Sequence, residues 1–378
     1  MSRWEIITGE YPPQPGGVAD YTRLVARGLM AAADEVAIHA PASSSVLDDD
    51  EGLRVNRLPG RFGRGALAQL DRRLDRRAHI LVQYVPHAFG RKAMNLPFCA
   101  WLYRQRHHDV TVMFHEVAYP IRRGQSMRRN GLGATHRMMA ALVARSARRI
   151  LVAAEAWRPK VRRFARADCP ILWAPVPSNI RVVDDPEAMK STRLRYASRG
   201  EALIGHFRTF GAEGSDRLRQ ALRPILENDS AAKILLIGRG SEEFRATLVV
   251  RCPSAAGRVY ATGSLDRREA SISISACDAM LQPFEGGITS RNASAIAALA
   301  HARPIVTNIG PFTENMWNRT AAVLAVTGCP RAIGEAALEL VSDRERSRTM
   351  GCAGAELYRE VFDVRHTVNL LRGTSCES

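Results

Sequence analysis

Two Pro/Gly-rich loops, a histidine–glutamate pair and several arginines placed after apolar runs are the residues of this chain that could do chemistry. The first loop lies in Glu10-Tyr11-Pro12-Pro13-Gln14-Pro15-Gly16-Gly17-Val18-Ala19-Asp20-Tyr21-Thr22. It follows the strand-like run Trp4–Thr8 and opens a helix whose apolar positions Val18, Tyr21, Leu24, Val25 and Leu29 recur at helical spacing. Gly16 and Gly17 let a ligand approach the backbone. A helix start offers free N–H groups and a partial positive charge. That combination suits an anion, and it equally suits a plain strand-to-helix turn.

The second loop is Leu281-Gln282-Pro283-Phe284-Glu285-Gly286-Gly287-Ile288-Thr289-Ser290-Arg291-Asn292-Ala293-Ser294. Here the N–H groups of Gly287, Ile288, Thr289, Ser290 and Arg291 are expected to hold a diphosphate, with Arg291 adding charge. His115-Glu116 closes the strand-like run Thr111–His115. Ligands of parallel sheets bind at the carboxyl ends of strands, so His115 can reach a substrate there or simply cap a loop. Tyr84 and His87, after a neighbouring run, are expected to line the same edge. Arg208 follows Leu203–Phe207 and can neutralise a diphosphate. Gly238-Arg239-Gly240 follows Lys233–Ile237, a GxG without the rest of a dinucleotide fingerprint.

The elements that must position these residues alternate between strand-like and helix-like runs, which predicts parallel sheets covered by helices. Expected strands are Trp4–Thr8, Glu35–His39, His79–Tyr84, Thr111–His115 and Arg149–Ala153, then Leu203–Phe207, Lys233–Ile237, Val259–Ala261, Ala279–Gln282 and Pro304–Thr307. Helical patterns include Ala134–Ser146, Ser290–Ala302, Ala332–Val341, Arg344–Val361 and Val364–Leu371. No sequence repeat is evident. Pro175-Val176-Pro177-Ser178-Asn179 closes the first set, which places one domain at 1–180, joined by a C-terminal helix at about 362–378, and a second at 181–361.

A chain of 378 residues that is 46% hydrophobic is globular and long enough for two cores. It has no apolar run of membrane-spanning length, and its strand-like start leads us to expect no signal peptide. Its seven scattered cysteines contain no CxxC pair and read as free thiols of a reducing cytosol. The 50 arginines against 4 lysines suggest a GC-rich bacterial genome. The charge of +16 is uneven: residues 1–180 carry 28 Lys+Arg against 15 Asp+Glu, a balance of +13, and residues 181–378 only +3. This suggests an anionic partner for the first half, a membrane surface, a phosphorylated acceptor or nucleic acid, with the membrane surface favoured and the alternative an Arg-rich surface without a specific role. No aromatic–basic motif indicates nucleic acid. Asp48-Asp49-Asp50-Glu51 reads as a solvated loop, and no motif argues for a metal.

Taken together, the first loop, His115-Glu116, Val152–Trp157, Pro175–Asn179, Leu235–Gly240, Cys277–Gly287 and Ala297–Val306 resemble the retaining family 4 glycosyltransferases over essentially the whole length. The resemblance implies a GT-B fold: two Rossmann-like α/β domains facing each other across a cleft, with a nucleotide-sugar donor held mainly by the C-terminal domain and an acceptor by the N-terminal one. Carried over by motif, Gly16 and Gly17 approach the donor, and His115 faces the reacting sugar, with Glu285 as the second catalytic candidate. Arg208 contacts the diphosphate, beside Gly238 and Arg239. Glu285, Gly286, Gly287, Ile288, Thr289, Ser290 and Arg291 hold donor sugar and phosphates, and Tyr84, His87 and Glu116 lie on the acceptor side. No metal or resident cofactor is implied. The acceptor is expected to be a glycan or a lipid-linked glycan of bacterial polysaccharide or glycolipid synthesis, and the protein cytoplasmic or peripheral at the inner membrane face. The sequence departs from the family twice: Glu213 stands where a lysine often partners Arg208, and Ala297 where a second glutamate is usual. A degenerate, non-catalytic member and a sugar-nucleotide epimerase are the alternatives.

Overall fold

The computed structural model describes residues 1–14, 16–42, 52–75, 77–211, 214–228 and 232–374. Pro15, Asp48–Glu51, Arg76, Glu213 and Cys376 therefore lie outside the described residues. The chain divides into two units, Met1–Val176 with Val364–Ser378, and Pro177–Asp363. The first division falls within the proline-flanked linker, a few residues before the boundary read from sequence.

The first unit holds a parallel sheet of seven strands: β1 (Arg3–Thr8), β2 (Glu35–Pro41), β3 (Arg54–Leu58), β4 (His79–Tyr84), β5 (Val110–Phe114), β6 (Arg149–Val152) and β7 (Ile171–Trp173). Their order is β3-β2-β1-β4-β5-β6-β7. The central strands are apolar runs because helices cover both faces, so β5 is buried at every position. The second unit holds a parallel sheet of six: β8 (Leu203–Phe207), β9 (Lys233–Ile237), β10 (Val259–Ala261), β11 (Ala279–Gln282), β12 (Ile305–Asn308) and β13 (Val323–Val326), in the order β10-β9-β8-β11-β12-β13. Strand order reverses between β1 and β4, and again between β8 and β11. In sheets of this kind the crevice outside the carboxyl ends at such a reversal is where ligands bind.

Three strands escape the sequence reading: β3, β7 and β13. Each is an edge strand. An edge strand is half-solvated, so Arg54-Val55-Asn56-Arg57-Leu58 carries little apolar signal and Ile171-Leu172-Trp173 is only three residues long. Two helices also differ. The helix expected from Ala134 begins at Met127, and the one expected from Ser290 begins only at Ala293, because Thr289–Asn292 forms a turn instead.

The C-terminal helix Val364–Arg372 packs on Gly17–Ala31 in the first unit. A Cβ on Gly28 would stand 2.7 Å from a Val368 methyl, so the glycine is what allows the approach. Tyr21 hydrogen-bonds Thr367. Arg149 donates to the Leu370 and Leu371 carbonyls at 2.8 and 2.7 Å. Arg372 meets the buried Asp34 at 3.1 Å, and Asp34 also accepts from Trp4 Nε1.

One buried polar group in β8 has a measurable consequence. His206 is 1% exposed, and its Nδ1 donates to the Leu281 carbonyl across the sheet at 2.6 Å. Nε2 is thereby left as a lone pair with no partner among the described residues. Burial pushes its pKa from 6.5 down to about 3, with the charge of Arg208 working in the same direction. The unfolded chain takes up a proton near pH 6.5 while the folded chain does not until about pH 3, so stability falls as pH falls through this window. Urea unfolding is expected to show a slope of up to about 1.4 kcal/mol per pH unit that His206→Gln removes. An unchanged slope in the variant would place the titration elsewhere.

Candidate functional site

The carboxyl edge of the first sheet carries the Glu10–Gly16 loop and His115. The chain supplies its own anion to the helix that this loop opens. Glu10 Oε1 accepts from Val18 N at 3.1 Å and Ala19 N at 3.3 Å. A Cβ on Gly16 would stand 2.5 Å from that carboxylate, so Gly16 makes room for Glu10. Gly17 has open space about its Cα. Arg57 reaches from β3 to the Pro12 carbonyl and lies over the Tyr11 ring at 5.5 Å, tying the loop to the sheet edge.

His115 stands one residue beyond β5 and is 8% exposed. Three elements fix it. Its Nε2 lies 2.8 Å from Gln83 Oε1 on β4, its backbone carbonyl accepts from Trp157 Nε1 at 3.0 Å, and the Tyr21 ring meets it edge-on at 4.8 Å. An amide oxygen only accepts, so this contact makes Nε2 the protonated nitrogen. Tyr84 is corrected: it is fully buried, stacked on Phe89 and edge-on to Phe114. Its side chain points into the aromatic layer and lines no edge. Burial drives its phenol well above the usual range. His87 and Glu116 are exposed and come together, with Nδ1 3.8 Å from Oε2. His136, which the sequence reading did not single out, lies near enough for both to influence its charge.

At the carboxyl edge of the second sheet the expected cradle is already occupied. Gly287 N bonds to Phe284 O at 3.3 Å, Ile288 N to Asn308 O at 3.0 Å, and Thr289 N to Asn292 Oδ1 at 2.6 Å. Ser290 N and Oγ both donate to the buried Glu314, at 3.0 and 2.7 Å, and Trp317 Nε1 holds the same carboxylate at 2.9 Å. All four N–H groups thus already have partners within the chain. Gly287 is instead a packing glycine. At φ +82° its Cβ would stand 2.2 Å from Gly310 N. Asn308 locks the loop from the other side, accepting from Phe284 N at 2.8 Å and donating to Phe284 O at 2.9 Å. Glu285 is 59% exposed and lies 3.8 Å from Arg217 Nε. Ala297 is fully buried. Arg291 is exposed at the end of the loop.

The anion-binding features gather beside β8 instead. Arg208 lies against Gly214, where a Cβ would stand 2.6 Å from its Nη1. Gly214 is the left-handed residue before the helix Ser215–Glu227, and among the described residues no side chain hydrogen-bonds the first N–H groups of that helix. A guanidinium and an uncapped helix start thus point to one place. Gly238, at φ +120°, is required because a Cβ would stand 2.2 Å from the Arg208 carbonyl. Its N–H is held by Thr262 Oγ1 at 3.1 Å. Arg239 is exposed, and its side chain makes no hydrogen bond or ion pair with the described residues. Sequence reasoning missed Glu10 as a cap, Glu314, and the helix start at Gly214. The first and last carried a signal: a glutamate ahead of a glycine pair, and a glycine followed by Ser215-Asp216. Among the described residues no three His, Cys, Asp or Glu side chains form a metal-binding group.

No protein-family model and no curated protein matches the sequence. Solved structures do match. Sucrose-phosphate synthase from Thermosynechococcus elongatus superposes with a TM-score of 0.75 at 17% identity, over 99% of this chain and 98% of that one. HepE of Anabaena, in complex with UDP and glucose, superposes with a TM-score of 0.73 at 14% identity, over 99% of both chains. A glycosyltransferase from Rickettsia africae gives 0.70 at 12%, over the whole of both. The chain has the GT-B fold, with a Rossmann-like domain in each unit.

The Glu314 clamp generates a prediction. Glu314→Ala leaves three donors unpaired in a buried site and is expected to cost about 3 kcal/mol of stability in urea unfolding. Hydrogen exchange at Ser290 is expected to speed up with it. Wild-type stability in the variant would show that the clamp is dispensable.

Proposed function

We propose that this chain is a glycosyltransferase that moves a sugar from a nucleoside-diphosphate sugar to an acceptor hydroxyl with retention of configuration. The observation that carries this reading is the pairing of Arg208 with the uncapped helix start at Gly214, at the strand-order reversal of the second sheet. The fold supports it, since a full-length structural likeness, HepE, is solved with UDP-glucose. In the reaction the bond from the sugar's anomeric carbon to the diphosphate oxygen breaks. A bond to the acceptor oxygen forms on the same face, and the acceptor proton passes to the departing phosphate. Negative charge builds on the diphosphate, and Arg208, Arg239, Arg291 and the helix start stabilise it in place. The reading uses no metal and no resident cofactor. Gln83, Trp157 and Tyr21 hold the ring of His115, one catalytic candidate, in a fixed orientation. Glu285, kept near Arg217, is the other, and His87 and Glu116 meet the acceptor.

A second reading, a non-catalytic member of the fold, is favoured by the buried Ala297 and by the loop N–H groups committed to Glu314. Two variants separate the readings. His115→Ala is expected to lower kcat by about a hundredfold or more while leaving donor affinity nearly unchanged. Arg208→Ala is expected to weaken nucleoside-diphosphate binding by about 1.5–3 kcal/mol in calorimetry. No binding of UDP-, GDP-, ADP- or dTDP-sugars by the wild-type chain would favour the non-catalytic reading.

The acceptor in this proposal is a glycan or lipid-linked glycan of bacterial glycoconjugate synthesis, met at the inner face of an anionic membrane. Among the described residues no helix is long and apolar enough to cross a membrane. A surface contact is supported by Arg122, Arg123, Arg128 and Arg129, all exposed, and by the apolar Met127 and Ile121 between and beside them, 91% and 45% exposed. Basic residues near anionic lipid contribute about 1 kcal/mol each within a Debye length. The protein is expected to sediment with anionic vesicles at low salt and to release at high salt, and Met127→Ser with Arg128→Ser and Arg129→Ser to weaken this. Retention in the supernatant at low salt would point to a soluble acceptor.

A further inference from the structure

We propose that the amino-terminal edge of the second sheet carries a binding site for a small molecule with two or more phosphate groups, remote from the loops at the carboxyl edge. A pocket of about 670 Å³ opens there, in front of the first residues of β8, β11 and β12. Ala202, Asp278 and Pro304, each just ahead of one of those strands, form its floor.

Its walls are basic in two different ways. Arg193 and Arg303 are built into the structure. Arg193 donates to the Ala276 and Glu201 carbonyls at 3.2 and 2.8 Å and pairs with Asp278 at 2.9 Å. Arg303 donates to the His301, Ser275 and Cys277 carbonyls, and among the described residues no carboxylate comes within ion-pair distance. Burial lowers the Arg303 pKa, so a nearby anion would favour its charged form. Arg199, Arg344 and Arg348 are exposed and make no hydrogen bond or ion pair with any described residue.

Arg344 and Arg348 sit one turn apart on the helix Arg344–Leu357, a like-charged spacing that repels. That helix is held flat against the floor because Gly351 has no Cβ: one would stand 2.3 Å from the Ala302 carbonyl. The two acids that line the pocket already have partners. Asp278 pairs with Arg193, and Glu201 accepts from Ser198 N at 2.7 Å and meets Lys233 at 3.4 Å. Three unpaired guanidinium forks around one pocket match several phosphate groups better than a single carboxylate. The volume is within the range that holds molecules of nucleotide size.

Cys352 lines the same pocket and is exposed, whereas the exposed Cys329 does not line it. Alkylation of the full chain, followed by peptide mass spectrometry, therefore reports on this site without any need for turnover. Inorganic triphosphate at about ten times its Kd is expected to slow Cys352 alkylation about tenfold, leaving Cys329 unchanged. Potassium chloride at matched ionic strength is expected to protect neither. R344A/R348A changes only exposed side chains and is expected to abolish the protection, while Arg208→Ala is expected to retain it. Equal protection by chloride, or protection that survives R344A/R348A, overturns the site. Loss of protection in Arg208→Ala overturns it too, because the triphosphate would then be acting from the carboxyl edge.

Discussion

Every loop at the carboxyl edge of a parallel sheet must find partners for its backbone N–H groups, and this chain meets most of that demand with its own side chains. Glu10 caps the helix beginning at Gly17, Glu314 takes the N–H and hydroxyl of Ser290, and Asn308 brackets Phe284 from both sides. These contacts make the edge loops rigid. In the proposed function an external anion is received beside Arg208 at the start of Ser215–Glu227, where among the described residues no side chain caps the helix. An arrangement of this kind separates two tasks that a glycine-rich loop commonly combines. Shape comes from internal carboxylates and close-packed glycines, charge from arginines.

The first unit shows the same economy around His115. A ring with a glutamine on one side, a tyrosine edge on another and an indole on its carbonyl has little freedom to turn, so its orientation is set before any ligand arrives. Gln83 fixes which nitrogen bears the proton. Its own Nε2 is buried with no partner among the described residues, a polar atom left over from that arrangement.

Much of the architecture could be read from the sequence because central parallel strands are apolar on both faces. Five of the ten expected strands, His79–Tyr84 and Leu203–Phe207 among them, carry the boundaries seen. What could not be read was either half-solvated or long-range. The edge strands β3, β7 and β13 lack the pattern, since one side of each faces solvent. The positions of His115 and Arg208 after their strands were legible because a strand end is a local feature. The partners of Gly16 and Ser290 were not. A helix start advertises free N–H groups in sequence, but whether a carboxylate eight or 24 residues away takes them depends on how the loops pack. Tyr84 was misplaced for a related reason: strand alternation sends the last residue of β4 to one face or the other, and only the aromatic layer of Phe89 and Phe114 decides which.

The return of Val364–Arg372 to the first unit bears on the order in which the protein can assemble. On the ribosome, residues 1–176 emerge early, yet Tyr21, Gly28, Asp34 and Arg149 wait for partners made after the entire second unit, Arg149 across 221 residues to Leu370. The second unit, contiguous from Pro177 to Asp363, can close on itself while the first still exposes the groove meant for its last helix. The half of the molecule translated first is thus the half finished last, and a nascent chain stalled before residue 364 would present that open groove to chaperones.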